Sequence, residues 1–106
     1  MKKVISTPHA PAAIGPYSQA IEANGTIYVS GQLPINPATG EFAQGGIKAE
    51  ARQSLTNIKN ILAAEGLDMS NVVKVTVLLA DISYFAEVNE VYAEFFAQPY
   101  PARSAF

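Results

Sequence analysis

Cysteine is absent from this chain, histidine occurs once, and only 15% of its 106 residues carry a formal charge. Without cysteine there is no disulfide framework, no thiolate metal site and no cysteine nucleophile, and a reducing, cytoplasmic compartment is expected. The single histidine, His9, lies between Pro8 and Pro11 with no carboxylate at ligand spacing, so it reads as a solvated loop residue rather than a base or ligand. It completes no Ser-His-Asp set and no His-Glu-x-x-His, and no phosphate loop or Gly-x-Gly-x-x-Gly is present. Neither a cofactor nor a metal is therefore expected. Seven basic and nine acidic side chains give a net charge of -2, and the basic ones form no run or stripe. Nucleic acid is not an expected partner. Lys2 and Lys3 are not followed by an apolar core of signal-peptide length, and no later run approaches a membrane span. A membrane is not an expected partner either.

What the chain does have is apolar surface. Hydrophobic residues make up 49% of it, although its length is that of one domain with little interior. Association with other copies is the natural outlet.

Local patterns predict an α+β order. Val4 and Ile5 suggest a first strand, and Pro8, Pro11 and Pro16 then impose a loop. Asn24-Gly25 between two alternating segments predicts a type I′ hairpin, with Ala23 opposite Thr26, Ile21 opposite Tyr28 and Gln19 opposite Ser30. That register carries Tyr17 to the neighbourhood of Ser30 and Gly31. Pro34, Pro37 and Thr39-Gly40 mark a turn-rich loop. From Ile47 the apolar residues Ala51, Leu55, Ile58 and Leu62 follow at helical spacing, and Gly66 suits a left-handed ending with Leu67 folded back on Leu62. Residues 72–80 form a β-branched run with two largely apolar faces, of which one helical layer covers only one. Asp81 is the expected N-cap of a second helix reaching about Phe96. At 100° per residue, Asn89 falls about 40° from Phe85, on the apolar side and away from Glu87, Glu90 and Glu94. The proline-flanked segment 99–106 is expected to be extended.

The polar groups left on these elements are Tyr17, Ser30, Gly31, Asn89 and Arg103. A planar guanidinium offers paired donors that fit a carboxylate, so Arg103 is the sharpest candidate for binding a small carboxylate-bearing molecule. Spacing alone fits a surface salt bridge equally well. Tyr17 suits either a pocket phenol or simple packing, Ser30 a ligand or a backbone contact, and Asn89 a ligand or a buried backbone group. Gly31 would let a ligand approach its backbone N–H closely.

Five strings occur in order along nearly the whole chain: Ala12-Ala-Ile-Gly-Pro-Tyr-Ser18, Tyr28-Val-Ser-Gly-Gln-Leu-Pro34, Gln53-Ser-Leu-x-Asn-Ile58, Phe85-Ala-Glu-Val-Asn-Glu-Val-Tyr92 and Pro101-Ala-Arg-Ser104. Together they resemble the Rid family, the reactive intermediate deaminases also called YjgF. The resemblance implies that residues 1–106 form a single Rid-like domain with a chorismate-mutase-like mixed β-sheet. Two helices would pack on one face, and the other face would turn toward the centre of a homotrimer with inter-subunit sites. It further implies a cofactor-free hydrolase acting on C=N bonds, a 2-iminobutanoate/2-iminopropanoate deaminase. Such an enzyme converts reactive enamines and imines such as 2-aminoacrylate to 2-oxo acids and ammonia.

By the family's pattern, Arg103 and the Gly31 backbone would hold the substrate carboxylate, while Tyr17, Ser30 and Asn89 shape and polarise the pocket. Such chemistry needs little machinery: an imine is already electrophilic, so orientation, an anchor and one proton-handling group suffice. Family members continue for a further strand and hairpin after Pro-Ala-Arg-Ser, with an acidic residue thought to position the water, and this chain is expected to lack that region. Position 105 is Ala where many members carry Cys. The alternative from a different class is a non-catalytic 2-oxo acid binding or regulatory module. A ribonuclease or translation inhibitor, as some relatives have been described, fits the scattered lysines less well.

Overall fold

A computed structural model describes residues 1–106. Strand β1 (Lys2–Ile5) pairs antiparallel with β2 (Ala20–Ala23), and β2 with β3 (Thr26–Val29). The β2–β3 register is the one that Asn-Gly dictates: Ala23 faces Thr26 and Ile21 faces Tyr28, with φ of 52° at Asn24 and 78° at Gly25. The amide of Ser30 donates to Gln19 O at 3.0 Å, carrying the pairing past the strand ends.

The proline-rich stretch expected to be a loop contains a small hairpin, β4 (Ile35–Asn36) against β5 (Glu41–Phe42). It is pinned by the fully buried Asn57, whose amide donates to Leu33 O at 3.2 Å and Ile35 O at 3.0 Å. Asn57 belongs to helix α1 (Ile47–Ala63). After that helix, the Gly66 amide donates to Ala63 O and the Leu67 amide to Leu62 O, with Gly66 at φ 71°. This is the Schellman ending that Gly66 and Leu67 predict.

The β-branched run 72–80 narrows to β6 (Lys74–Val77), and Asp81 accepts from the Ser83 amide at 2.9 Å. That cap opens a 3-10 turn, Ile82–Tyr84, which runs directly into α2 (Phe85–Phe95). The chain then returns as β7 (Ala102–Ala105), parallel to β6 with Val75 beside Arg103. Parallel neighbours require a crossover, and α2 supplies it.

The two helices are also parallel to each other. Lys48 pairs with Glu90, and Arg52 with Glu94 at 2.8 Å, both at a separation of 42 residues, so one turn along α1 matches one turn along α2. Between the helices and the strands lie Leu55, Leu62, Met69, Val91, Tyr92 and Phe96, with Val29, Val72, Val75 and Val77 packed against them. A second cluster of Ile5, Ala10, Ala20 and Ile61 ties α1 to the first sheet.

The chain is thus α+β with both pairing senses, but they occupy separate ladders. The three antiparallel strands, the β4–β5 hairpin and the parallel β6–β7 pair share no hydrogen-bonded edge. On the far side of the first sheet, Val4, Ile21 and Tyr28 stand in one cross-strand row, and Val4 and Tyr28 are 61% and 64% exposed. Leu78, beyond β6, is 77% exposed. No helix is long and apolar enough to cross a membrane.

Candidate functional site

Arg103 sits on β7 and reaches across the crossover to α2. Its Nη1 donates to Asn89 Oδ1 at 2.7 Å, and its Cζ lies 5.1 Å from the centroid of the Phe85 ring and 4.8 Å from that of Tyr92. Residues 85, 89 and 92 follow at helical spacing, so one stripe of α2 presents two rings and an amide to one guanidinium. Parallel pairing with β6 brings this stripe within reach of position 103.

No carboxylate pairs with Arg103. The ion pairs of this chain are Lys3 with Glu65, Lys48 with Glu90 and Arg52 with Glu94, and the Arg103 side chain makes only the hydrogen bond to Asn89. A guanidinium has five N–H donors, so four remain for a ligand. A neutral amide fixes this cation without neutralising it. The surface salt bridge that spacing allowed is therefore not formed.

Tyr92 is 7% exposed, and its ring meets that of Phe96 with centroids 4.5 Å apart. Its hydroxyl is buried without a hydrogen-bond partner. Burial pushes the phenol above its ordinary range, and the nearby Arg103 charge opposes that in part.

Ser30 and Gly31 lie at the open end of the β2–β3 hairpin, where Ser30 is bonded to Ser18 and Gln19, the two residues that follow Tyr17. Ser30 Oγ donates to Ser18 O at 2.6 Å, which leaves the oxygen's lone pairs, not its hydrogen, for a ligand. The Gly31 N–H makes no hydrogen bond, and a Cβ built there would meet nothing within 4 Å, so the backbone is open to close approach. Tyr17 is 53% exposed and lines a cleft of about 520 Å³ with Thr7, Ser18 and Gln19.

Asn89 and Arg103 are brought into direct contact, Ser30 and Gly31 lie together at the hairpin end beside the Ser18–Gln19 backbone, and the Tyr17 side chain lines a cleft to which neither Ser30 nor Gly31 contributes. No hydrogen bond or ring contact joins Asn89 and Arg103 to the other three within one chain. Sequence reasoning missed the support beneath these residues. Gln19, 4% exposed, accepts from the Thr7 amide at 2.7 Å and donates to the carbonyls of Thr7, Ala10 and Pro11, which ties the start of the loop that carries Tyr17 to its end. Its only sequence signal is a polar residue opposite Ser30 in the hairpin register. Phe85 and Tyr92 read as core from their position on the apolar side of α2, which gave no hint of the guanidinium above them.

The family model described as Endoribonuclease L-PSP matches residues 7–106. A protein of Bos taurus named 2-iminobutanoate/2-iminopropanoate deaminase is 57% identical over 106 residues, covering 100% of this chain and 77% of its own length. The crystal structure of RidA from the Antarctic bacterium Psychrobacter sp. is 47% identical with a TM-score of 0.93, covering 98% of this chain and 84% of that one. The crystal structure of E. coli TdcF with bound serine is 42% identical with a TM-score of 0.92, covering 98% and 84%.

Proposed function

This chain belongs to the Rid (YjgF) family, and from that premise we propose that it is a hydrolytic deaminase of small 2-imino acids and their enamines. Water adds to the C=N carbon, the carbon–nitrogen bond breaks, and a 2-oxo acid and ammonia leave. The bovine relative's name states that activity, and serine in the TdcF structure is a ligand of the same size and with the same carboxylate. The observation that carries the reading is the Arg103 guanidinium, held at 2.7 Å by Asn89 and free of any carboxylate of its own chain.

In this reading Arg103 grips the substrate carboxylate and the Gly31 N–H adds a second donor. That leaves the imine carbon oriented for attack, so the enzyme contributes positioning more than covalent chemistry. Ser30 offers acceptor lone pairs to the imine nitrogen or the water, Asn89 keeps the guanidinium in place, and Tyr17 closes the pocket with its phenol.

Asn89 and Arg103 would meet Tyr17, Ser30 and Gly31 across a subunit boundary, in a homotrimer with clefts between neighbours. Support comes from their separation within one chain and from the apolar outer row of Val4, Ile21 and Tyr28, a surface suited to burial against another copy. A solution mass three times the 11.3 kDa of the chain is expected. The charge arrangement favours a small anion over a polyanion, because Lys3, Lys48 and Arg52 are already engaged by glutamates. The cysteine-free composition fits a cytoplasmic site of action.

The test is release of 2-oxobutanoate from 2-iminobutanoate generated in place by an amino acid oxidase and read through an NADH-linked dehydrogenase. Release should exceed spontaneous hydrolysis and fall back to it in Arg103→Ala. No acceleration by the parent chain, with 2-oxobutanoate still binding, would replace the deaminase by a binding module.

A further inference from the structure

An arginine on a short, exposed strand has several free torsions, and a ligand that grips it must first stop that motion. One hydrogen bond to Asn89 fixes a point on the guanidinium but leaves rotation about that bond. The two rings remove it. Phe85 and Tyr92 both lie within about the 6 Å range of favourable cation–ring contact, at 5.1 Å and 4.8 Å. Tyr92 is in turn backed by the buried Phe96 at 4.5 Å, so the support runs from the core to the charge.

We infer that Phe85 and Tyr92 are positioning residues for the deaminase reaction, acting through Arg103. Their rings hold the guanidinium in one attitude, so that it meets the substrate carboxylate with the N–H groups that Asn89 leaves free. The inference rests on Arg103 being the carboxylate receptor proposed above. Its consequence is a division of labour along α2, in which the amide sets where the cation sits and the rings set how it faces. Both do so without supplying a negative charge that would compete with substrate.

Phe85 is the cleaner probe, since it is half-buried while Tyr92 belongs to the core. In Phe85→Leu a smaller aliphatic group replaces the ring. Its KM for 2-iminobutanoate and its calorimetric Kd for 2-oxobutanoate should each rise roughly three- to tenfold, with kcat within about twofold of the parent. Phe85→Tyr, which restores a ring, should bring both constants back toward the parent values. A Leu variant with parental KM and Kd overturns the inference, and so do Leu and Tyr variants impaired to the same degree, which would mean packing alone. Arg103→Ala separates the two levels. Lost binding in that variant beside an unaffected Phe85→Leu removes only the role of the rings, whereas unchanged binding in Arg103→Ala removes the carboxylate receptor itself.

Discussion

Asn89 and Arg103, 14 residues apart, are joined by a 2.7 Å hydrogen bond in which the guanidinium donates to a neutral amide oxygen. In the proposed reading, neutrality is the point of the pairing. A carboxylate at position 89 would accept the same bond more strongly and would also neutralise the charge that a substrate needs. Asn89→Asp should therefore raise KM for 2-iminobutanoate by roughly tenfold or more, a greater loss than in Asn89→Ala, where only the hydrogen bond goes. Steady-state kinetics of the two variants would check this, and an Asp variant better than the Ala variant would refute it.

Gln19 uses both ends of its buried amide on the loop that carries Tyr17. Truncation would leave one amide N–H and up to three carbonyls seeking other partners in a site only 4% exposed. Each such orphan costs on the order of 1–3 kcal/mol, less where water can enter. Gln19→Ala should lower stability by about 2–4 kcal/mol in urea unfolding. A loss under 1 kcal/mol would mean that the loop is held by its prolines instead.

The parts of the fold that were legible in the sequence are those where backbone conformation selects the residue. Asn24-Gly25 has positive φ at both positions, and the ending at Gly66 needs it too, so register and helix end could be read from composition. Gln19 and Asn57 could not, because their partners are backbone carbonyls, which carry no sequence signature. The ion pairs of Lys48 with Glu90 and Arg52 with Glu94 depend on two helices lying parallel, a relation between segments 42 residues apart. The same holds at the candidate site. Asn89 and Arg103 were each recognisable, but their contact follows from the parallel β6–β7 pairing, a relation between strands on either side of the α2 crossover that local residue patterns do not carry.

Tyr92 carries a hydroxyl that is buried and unpartnered, and burial raises its pKa. Tyr92→Phe removes the unsatisfied group while keeping the ring against Phe96. It should raise stability by about 1 kcal/mol, read as a shift in the urea midpoint. A destabilised Phe variant would mean that the hydroxyl has a partner in the assembled protein.

Acid should weaken the fold through exposed carboxylates. The Arg52 guanidinium holds Glu94 below the ordinary carboxylate range, and the Ser83 amide, with its hydroxyl, does the same for Asp81. A carboxylate whose folded pKa is depressed contributes fully above its unfolded value of about 4, and that contribution is lost as pH falls through the folded value. Unfolding midpoints should be flat from pH 7 to about pH 5 and then decline. Both groups are solvent-exposed, so the decline is modest and shrinks in salt. Arg52→Gln isolates one of them: its deficit against the parent should be present at pH 7 and should close once Glu94 is protonated in both proteins. Asp81→Asn keeps a side-chain acceptor for the Ser83 amide at every pH, so its midpoint should fall less steeply in acid than the parent's. If the Arg52→Gln deficit persisted unchanged at pH 3, the contact between α1 and α2 at this point would be packing of the arginine stem rather than charge.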